Sequence, residues 1–131
     1  MTKLIQKLMM CCLMLMATTA VFGANGSFGG GNGSSGSPYV ITDAADLNAV
    51  RNGLALHYVL GNDIDLTTYL APGGVGYNSG SAWAPIGASG SPFTGSFNGA
   101  GHTISGLWIY RSTDNVGLYS MIKNKSFAGF F

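Results

Sequence analysis

The chain of 131 residues contains no glutamate, only 6 basic and 5 acidic side chains, and just two cysteines, Cys11 and Cys12. Charge that sparse, at 8% of residues and a net +1, with no basic cluster, leaves no electrostatic footprint for nucleic acid. It also excludes a charged disordered tail and a coiled coil built from Ala, Glu, Lys and Leu. Glycine takes the place of charge, at 21 positions among 47% hydrophobic residues. The length suits one small domain.

Lys3 and Lys7 precede an uncharged apolar run from Leu8 to Ala17, and small residues follow from Thr18 to Ala24. That order predicts a secretory signal peptide over residues 1–23, cleaved after Ala20, Gly23 or Ala24. The apolar run falls short of the ~20 residues needed to cross a bilayer, so no membrane span is expected once the leader is gone. An uncleaved signal anchor is the alternative. Cleavage after Gly23 leaves 108 residues without cysteine, so neither disulfides nor thiolate metal sites are available. No small residue precedes either cysteine, which argues against a lipoprotein. Arg51, Arg111, Lys123 and Lys125 then face Asp43, Asp46, Asp63, Asp65 and Asp114, a net charge of −1. The expected location is outside the cell, secreted or on the surface.

Residues 24–37 are almost all Gly, Ser and Asn, which predicts a flexible linker. Residues 38–131 remain for the domain. Asn25, Asn32 and Asn124 match the glycosylation sequon, a pattern short enough to arise by chance in so Asn- and Ser-rich a chain. Pro38 suits the start of a strand at Tyr39-Val40-Ile41. Asp43 then reads as an N-cap, with Asp46 in the first turn and Leu47, Val50 and Leu54 on one face, so a helix is expected at about 43–53. Gly53 can end it.

Tyr58, Leu60, Ile64 and Leu66 share one parity, while Asp63 and Asp65 share the other; that is a strand with one apolar face. Phe93, Gly95, Phe97, Gly99 and Gly101 alternate in the same way. Ile104 is out of parity with Leu107 and Ile109, which requires a bulge or corner at Gly106. Val116, Leu118 and Ile122 resume the alternation. Two all-β architectures fit: a β-solenoid, or an antiparallel sandwich favoured by the hairpin signal Asn98-Gly99. Ile64, Ile86 and Leu107 lie 22 and 21 residues apart, with Phe127 or Ala128 next in line, a spacing compatible with solenoid coils.

Several strings, in order, resemble bacterial secreted and surface proteins that carry GLUG repeats. They are Ser37-Pro38-Tyr39-Val40-Ile41, Ala45-Asp46-Leu47, Tyr58 to Leu66, Trp83-Ala84-Pro85-Ile86-Gly87, Phe93 to Ile104, and Asn115-Val116-Gly117-Leu118-Tyr119. The resemblance covers roughly Ser37 to Ile122 and implies a short right-handed parallel β-helix, of the kind found in adhesin-like and IgA-peptidase-like proteins. Ser120 stands where the repeat would close on glycine. Such proteins run through many repeats, so a truncated member of a longer protein is expected. Ala128, Phe130 and Phe131 would form an open apolar end suited to self-association.

Asp63 and Asp65 form the one close acidic pair on a strand, ~6.6 Å apart at Cα on one face. That spacing suits a glycosidase pair, or Ca²⁺ with further oxygen ligands such as Asn62 and Asn98. Alternatively both simply face outward, end the strand and discourage edge pairing. His57 and His102 lack companions for a metal site. No Gly-x-Ser-x-Gly occurs, and the glycines near Asn32 lack the Lys-Ser/Thr of a phosphate loop. Trp83, Trp108 and Tyr110 are the candidates for ligand contact, because exposed aromatics can stack on sugars or anchor a protein; the alternative is that they cover the core. The sequence thus predicts a non-enzymatic, adhesive or scaffolding module without a cofactor, its partner a glycan or a host or other extracellular protein. A secreted polysaccharide hydrolase using Asp63 and Asp65, or the accessory region of a secreted peptidase, is the alternative.

Overall fold

The computed structural model describes residues 27–120 and 127–128. The expected leader, its cleavage sites, Asn25, Asn124, Ile122 and the terminal Phe130 and Phe131 lie outside the described residues.

Strand β1 (Tyr39–Ile41) follows Pro38 and leads into helix α1 (Ala44–Ala49). Asp43 is extended at φ −151°, and its Oδ1 accepts the Asp46 amide at 2.8 Å. Asp46 reaches back in turn: its Oδ2 accepts the Thr42 amide at 3.0 Å and the Thr42 hydroxyl at 2.8 Å. The two aspartates therefore satisfy amides on both sides of the helix start, the logic of a capping box. A 3₁₀ turn (Val50–Asn52) continues α1 and ends at Gly53. Leu47 and Val50 are fully buried on its inner face.

Strand β2 (His57–Leu60) and the two-residue β3 (Ile64–Asp65) come next, followed by single helical turns at Thr67–Leu70 and Asn78–Gly80. Strands β4 (Ser96–Asn98), β5 (Ile104–Ser105) and β6 (Phe127–Ala128) complete the elements. One sheet has the order β1-β2-β4-β6 and a second pairs β3 with β5, every strand pair being parallel. Tyr39 faces Tyr58, Tyr58 faces Phe97, and Phe97 faces Phe127 in register. The apolar parity holds: Tyr58, Leu60, Ile64, Leu66, Phe93 and Phe97 are all buried, with Ile41, Leu47, Trp83 and Ile86 between them. Each such side chain withdrawn from water contributes roughly 1.5–3 kcal/mol.

The expectation of an all-β, right-handed solenoid is not met. Strands are two to four residues long, neither sheet closes on itself among the described residues, and a helix shares the core. Successive register partners in the larger sheet lie 19, 39 and 30 residues apart, so no constant coil length exists. The physical reason lies between Leu66 and Phe93, where helical turns and positive-φ residues such as Asn78, Ser79 and Ala82 take the place of strands. The antiparallel sandwich fails as well, since among the described residues every pairing between strands is parallel and antiparallel contact is confined to isolated bridges. Asn98-Gly99 opens a local turn instead of a hairpin: Asn98 Oδ1 accepts the Ala100 amide at 2.9 Å, and the His102 amide donates to the Gly99 carbonyl at 2.8 Å.

The stretch expected as a linker, 24–37, enters the described residues at 27. From residue 27 onward it is bound to the domain. The Gly29 amide donates to the Val40 carbonyl at 2.8 Å, the Val40 amide to Gly30 at 2.9 Å, and the His57 amide to Gly33 at 2.9 Å. Phe28 stacks on Tyr39 with ring centroids 4.4 Å apart. The segment covers the outer edge of β1, an edge that would otherwise offer unpaired backbone groups.

Candidate functional site

Two groups of the expected site residues occupy different places. Asp63 and Asp65 flank Ile64 on exposed backbone, each holding a neighbouring segment. Asp63 Oδ1 accepts the Thr103 amide at 2.9 Å and lies 3.4 Å from His102 Nδ1. Asp65 Oδ1 accepts the Thr67 amide at 2.9 Å. The Thr103 amide, aided by His102, holds the Asp63 carboxyl below the usual aspartate range, and the Thr67 hydroxyl and amide do the same for Asp65. A glycosidase pair needs one carboxyl that keeps its proton near neutrality. Both acids here are pushed the other way, and their work is to pin the turns that flank β3 and β5. Among the described residues no three His, Cys, Asp or Glu side chains gather at a spacing that could hold a metal ion. His57 is engaged with Ser96, its Nδ1 2.7 Å from the hydroxyl.

The aromatic candidates divide. Trp83 is only 1% exposed, packed at the centre of the core, and its Nε1 donates to the Leu118 carbonyl at 3.1 Å. It is a core residue and is not available for ligand contact. Trp108 and Tyr110, by contrast, are 40% and 78% exposed. Their placement begins at Gly106, whose φ of +69° turns the chain out of β5 in a conformation that side chains resist. The next segment runs along the loop before Trp83. The Trp83 amide donates to the Trp108 carbonyl at 3.2 Å, the Tyr110 amide donates to Ser81 at 3.1 Å, and Ala82 bridges Ile109. Ile109 turns onto the core, so Trp108 and Tyr110 on the opposite parity face outward. Leu107 departs from its expected inward position and is 37% exposed. Tyr77 lies beside Trp108 with centroids 6.3 Å apart.

Behind this face is an arginine pair that the sequence reading did not single out. Arg51 sits with its guanidinium carbon 5.5 Å from the centre of the Trp83 ring, and its Nη2 donates to the Ala84 carbonyl at 2.9 Å. Arg111 Nε donates to the Trp83 carbonyl at 3.3 Å. Burial lowers the Arg51 pKa most, and repulsion from Arg111 adds to it against an opposing influence from Tyr69. Arg111, Tyr110, Ser81, Ser112 and Thr113 line an open cleft of about 490 Å³. The signal that could have found Arg111 was its place in one short stretch with Trp108 and Tyr110; Ser81 comes from a loop with no such mark.

No protein-family model matches the chain, and no solved structure matches it. Over 98 residues, 72% of its length, the chain is 45% identical to a protein of Evansella cellulosilytica named a Gly-rich membrane protein. It is 42% identical over 89 residues to the Halomucin of Haloquadratum walsbyi, a match across 65% of this chain. The chain spans 11% and 1% of the lengths of those two proteins. Among the described residues no helix is long and apolar enough to cross a membrane.

Proposed function

We propose that this chain is a cell-surface or exported binding module that contacts glycan through the cleft beside Tyr110 and Trp108, without catalysing a reaction. The carrying observation is Tyr110, 78% exposed on a backbone fixed by its own amide bond to Ser81. An aromatic held out on a backbone pinned at Ser81 offers an apolar face to a sugar ring. Ser81, Ser112 and Thr113 line the same cleft, and their hydroxyls can both donate to and accept from a saccharide. The names of the two relatives, a membrane protein and a Halomucin, support a place at the cell surface. The resemblance to GLUG-repeat proteins, as a sequence resemblance, supports the same setting. A hydrolase at Asp63 and Asp65 gains no support, because both carboxyls hold backbone amides and favour the charged form.

The test is retention of the full chain on a panel of immobilised polysaccharides, compared with Trp108→Ala and Tyr110→Ala. Binding to at least one polysaccharide, weakened at least about fivefold by either change with the fold intact, is the expected result. Retention on no member of the panel, or retention indifferent to both substitutions, would sink the reading.

A further inference from the structure

We infer that the cleft selects saccharides carrying a carboxylate, the uronate class, with Arg111 as the residue that receives the acid group. This rests on the glycan reading above and adds the charge of the ligand to it. The argument begins with the arginine's surroundings. Arg111 spends Nε on the Trp83 carbonyl, while its side chain lines the cleft. A guanidinium carries five N–H donors in a planar fork, and the terminal pair matches the two oxygens of a carboxylate. The 3.3 Å bond from Nε to a backbone oxygen restrains the fork before any ligand arrives, which lowers the entropy lost on binding.

Charge complementarity is the second step. Among the described residues the one ion pair joins His102 to Asp63, so Arg111 has no carboxylate partner within 4.0 Å. Asp43 and Asp46 accept amides at the start of α1 and Asp63 and Asp65 accept amides around β3 and β5; all four keep their charge, and none pairs with Arg111. Arg51, over the Trp83 ring, adds a second cation and makes no ion pair among the described residues. The two arginines are close enough to repel one another, so Arg111 stands beside a second cation. Asp114, three residues beyond Arg111, makes no ion pair with it and is the one acid close in sequence that would oppose an incoming anion.

Tyr110 and the hydroxyls beside it give the cleft its sugar-like character and Arg111 gives it a sign. A neutral saccharide would use the first and leave the guanidinium without a partner; a uronate would use both. Arg111 is exposed, so a bidentate charge-assisted pair there is worth up to roughly tenfold in affinity.

The experiment is isothermal titration of the full chain with an oligogalacturonate and with a neutral xylo-oligosaccharide of the same length. We expect the acidic sugar to bind about tenfold more tightly, the advantage to vanish in Arg111→Gln and to survive in part in Arg111→Lys. Asp114→Asn is expected to widen it. Equal affinity for the two sugars overturns the inference and leaves the glycan reading standing; binding of neither also overturns the inference, and the glycan reading is then decided by the polysaccharide panel. If Arg111→Gln does not fold, the unaltered chain still decides the matter. An acid preference that shrinks between low salt and about 0.5 M supports an ion pair in the cleft, and one that does not change overturns it.

Discussion

A β-carbon on Gly95 would stand 1.8 Å from the carbonyl oxygen of Leu56. The two backbones meet there because the Thr94 and Gly95 amides both donate to the Leu54 carbonyl, at 2.8 and 2.9 Å, just before β4 enters the sheet beside β2. The obstacle is backbone, so no change of rotamer relieves it. We expect Gly95→Ala to lower stability by about 3 kcal/mol or more, and Gly90→Ala, where a β-carbon meets nothing within 4 Å, to stay within about 0.5 kcal/mol. Thermal unfolding followed by circular dichroism compares them directly. Equal melting temperatures would mean that the 54–56 and 94–96 segments do not approach as described.

Acid should loosen the molecule through Asp63 and Asp65. Both carboxyls are depressed in the folded chain, so their contribution is complete above the ordinary aspartate range and drains away as pH falls below about 4. We expect the melting temperature to drop between about pH 5 and pH 3, and the drop to be shallower in the Asp63→Asn, Asp65→Asn double variant. An amide oxygen can still accept from Thr103 and Thr67, so the neutral-pH fold is retained. Identical acid limbs would show that these carboxyls do not hold the turns around β3 and β5.

Alkali should act through Tyr119, whose pKa burial pushes well up, and through Tyr58. Burial raises the Tyr58 pKa to about 12, with a smaller contribution from Tyr39, and the Tyr58 hydroxyl donates to the Gly53 carbonyl at 2.9 Å. Because the folded state holds the proton more tightly than the unfolded chain, stability is full below about pH 10 and declines as pH rises toward the folded value. Tyr58→Phe is expected to cost about 1 kcal/mol at neutral pH from the lost hydrogen bond, and to flatten the part of that decline due to Tyr58. Urea unfolding at a series of alkaline pH values measures both effects in one set of proteins.

Much of this was written in the local pattern, and the rest depended on distant partners. The parity of Tyr58, Leu60, Ile64 and Leu66 announced the buried face, and Asp43 announced the start of α1. The parity break at Ile104 located the corner that Gly106 makes at φ +69°. Strand pairing was not legible, because register partners 19, 39 and 30 residues apart have no common period to detect. The ordering of residues 27–37 was hidden for a related reason: their bonds run to Val40 and His57, and composition alone reports only their freedom in the unfolded chain. Trp83 and Trp108 look alike as residues in a strand-like stretch. What separates them is Arg51 packed on one ring and solvent beside the other.

Trp83 ties the candidate surface to the core through three bonds, and its removal should release that surface before the rest. Its indole donates to the Leu118 carbonyl, its amide to the Trp108 carbonyl, and its own carbonyl accepts from Arg111. Trp83→Phe keeps the two backbone bonds and an aromatic body but deletes the indole donor and part of the buried volume. The Leu118 carbonyl keeps one partner, the Ile86 amide at 3.0 Å, so the loss is partial. We expect a global cost of about 1–3 kcal/mol. Limited proteolysis should show faster cleavage between Leu107 and Tyr119, a stretch attached through few bonds that we expect to open in the variant before the rest unfolds. Cleavage sites and rates read by mass spectrometry distinguish the two effects. A variant that loses stability with no preference for that stretch would make Trp83 an ordinary core residue, without a part in holding Trp108 and Tyr110 in place.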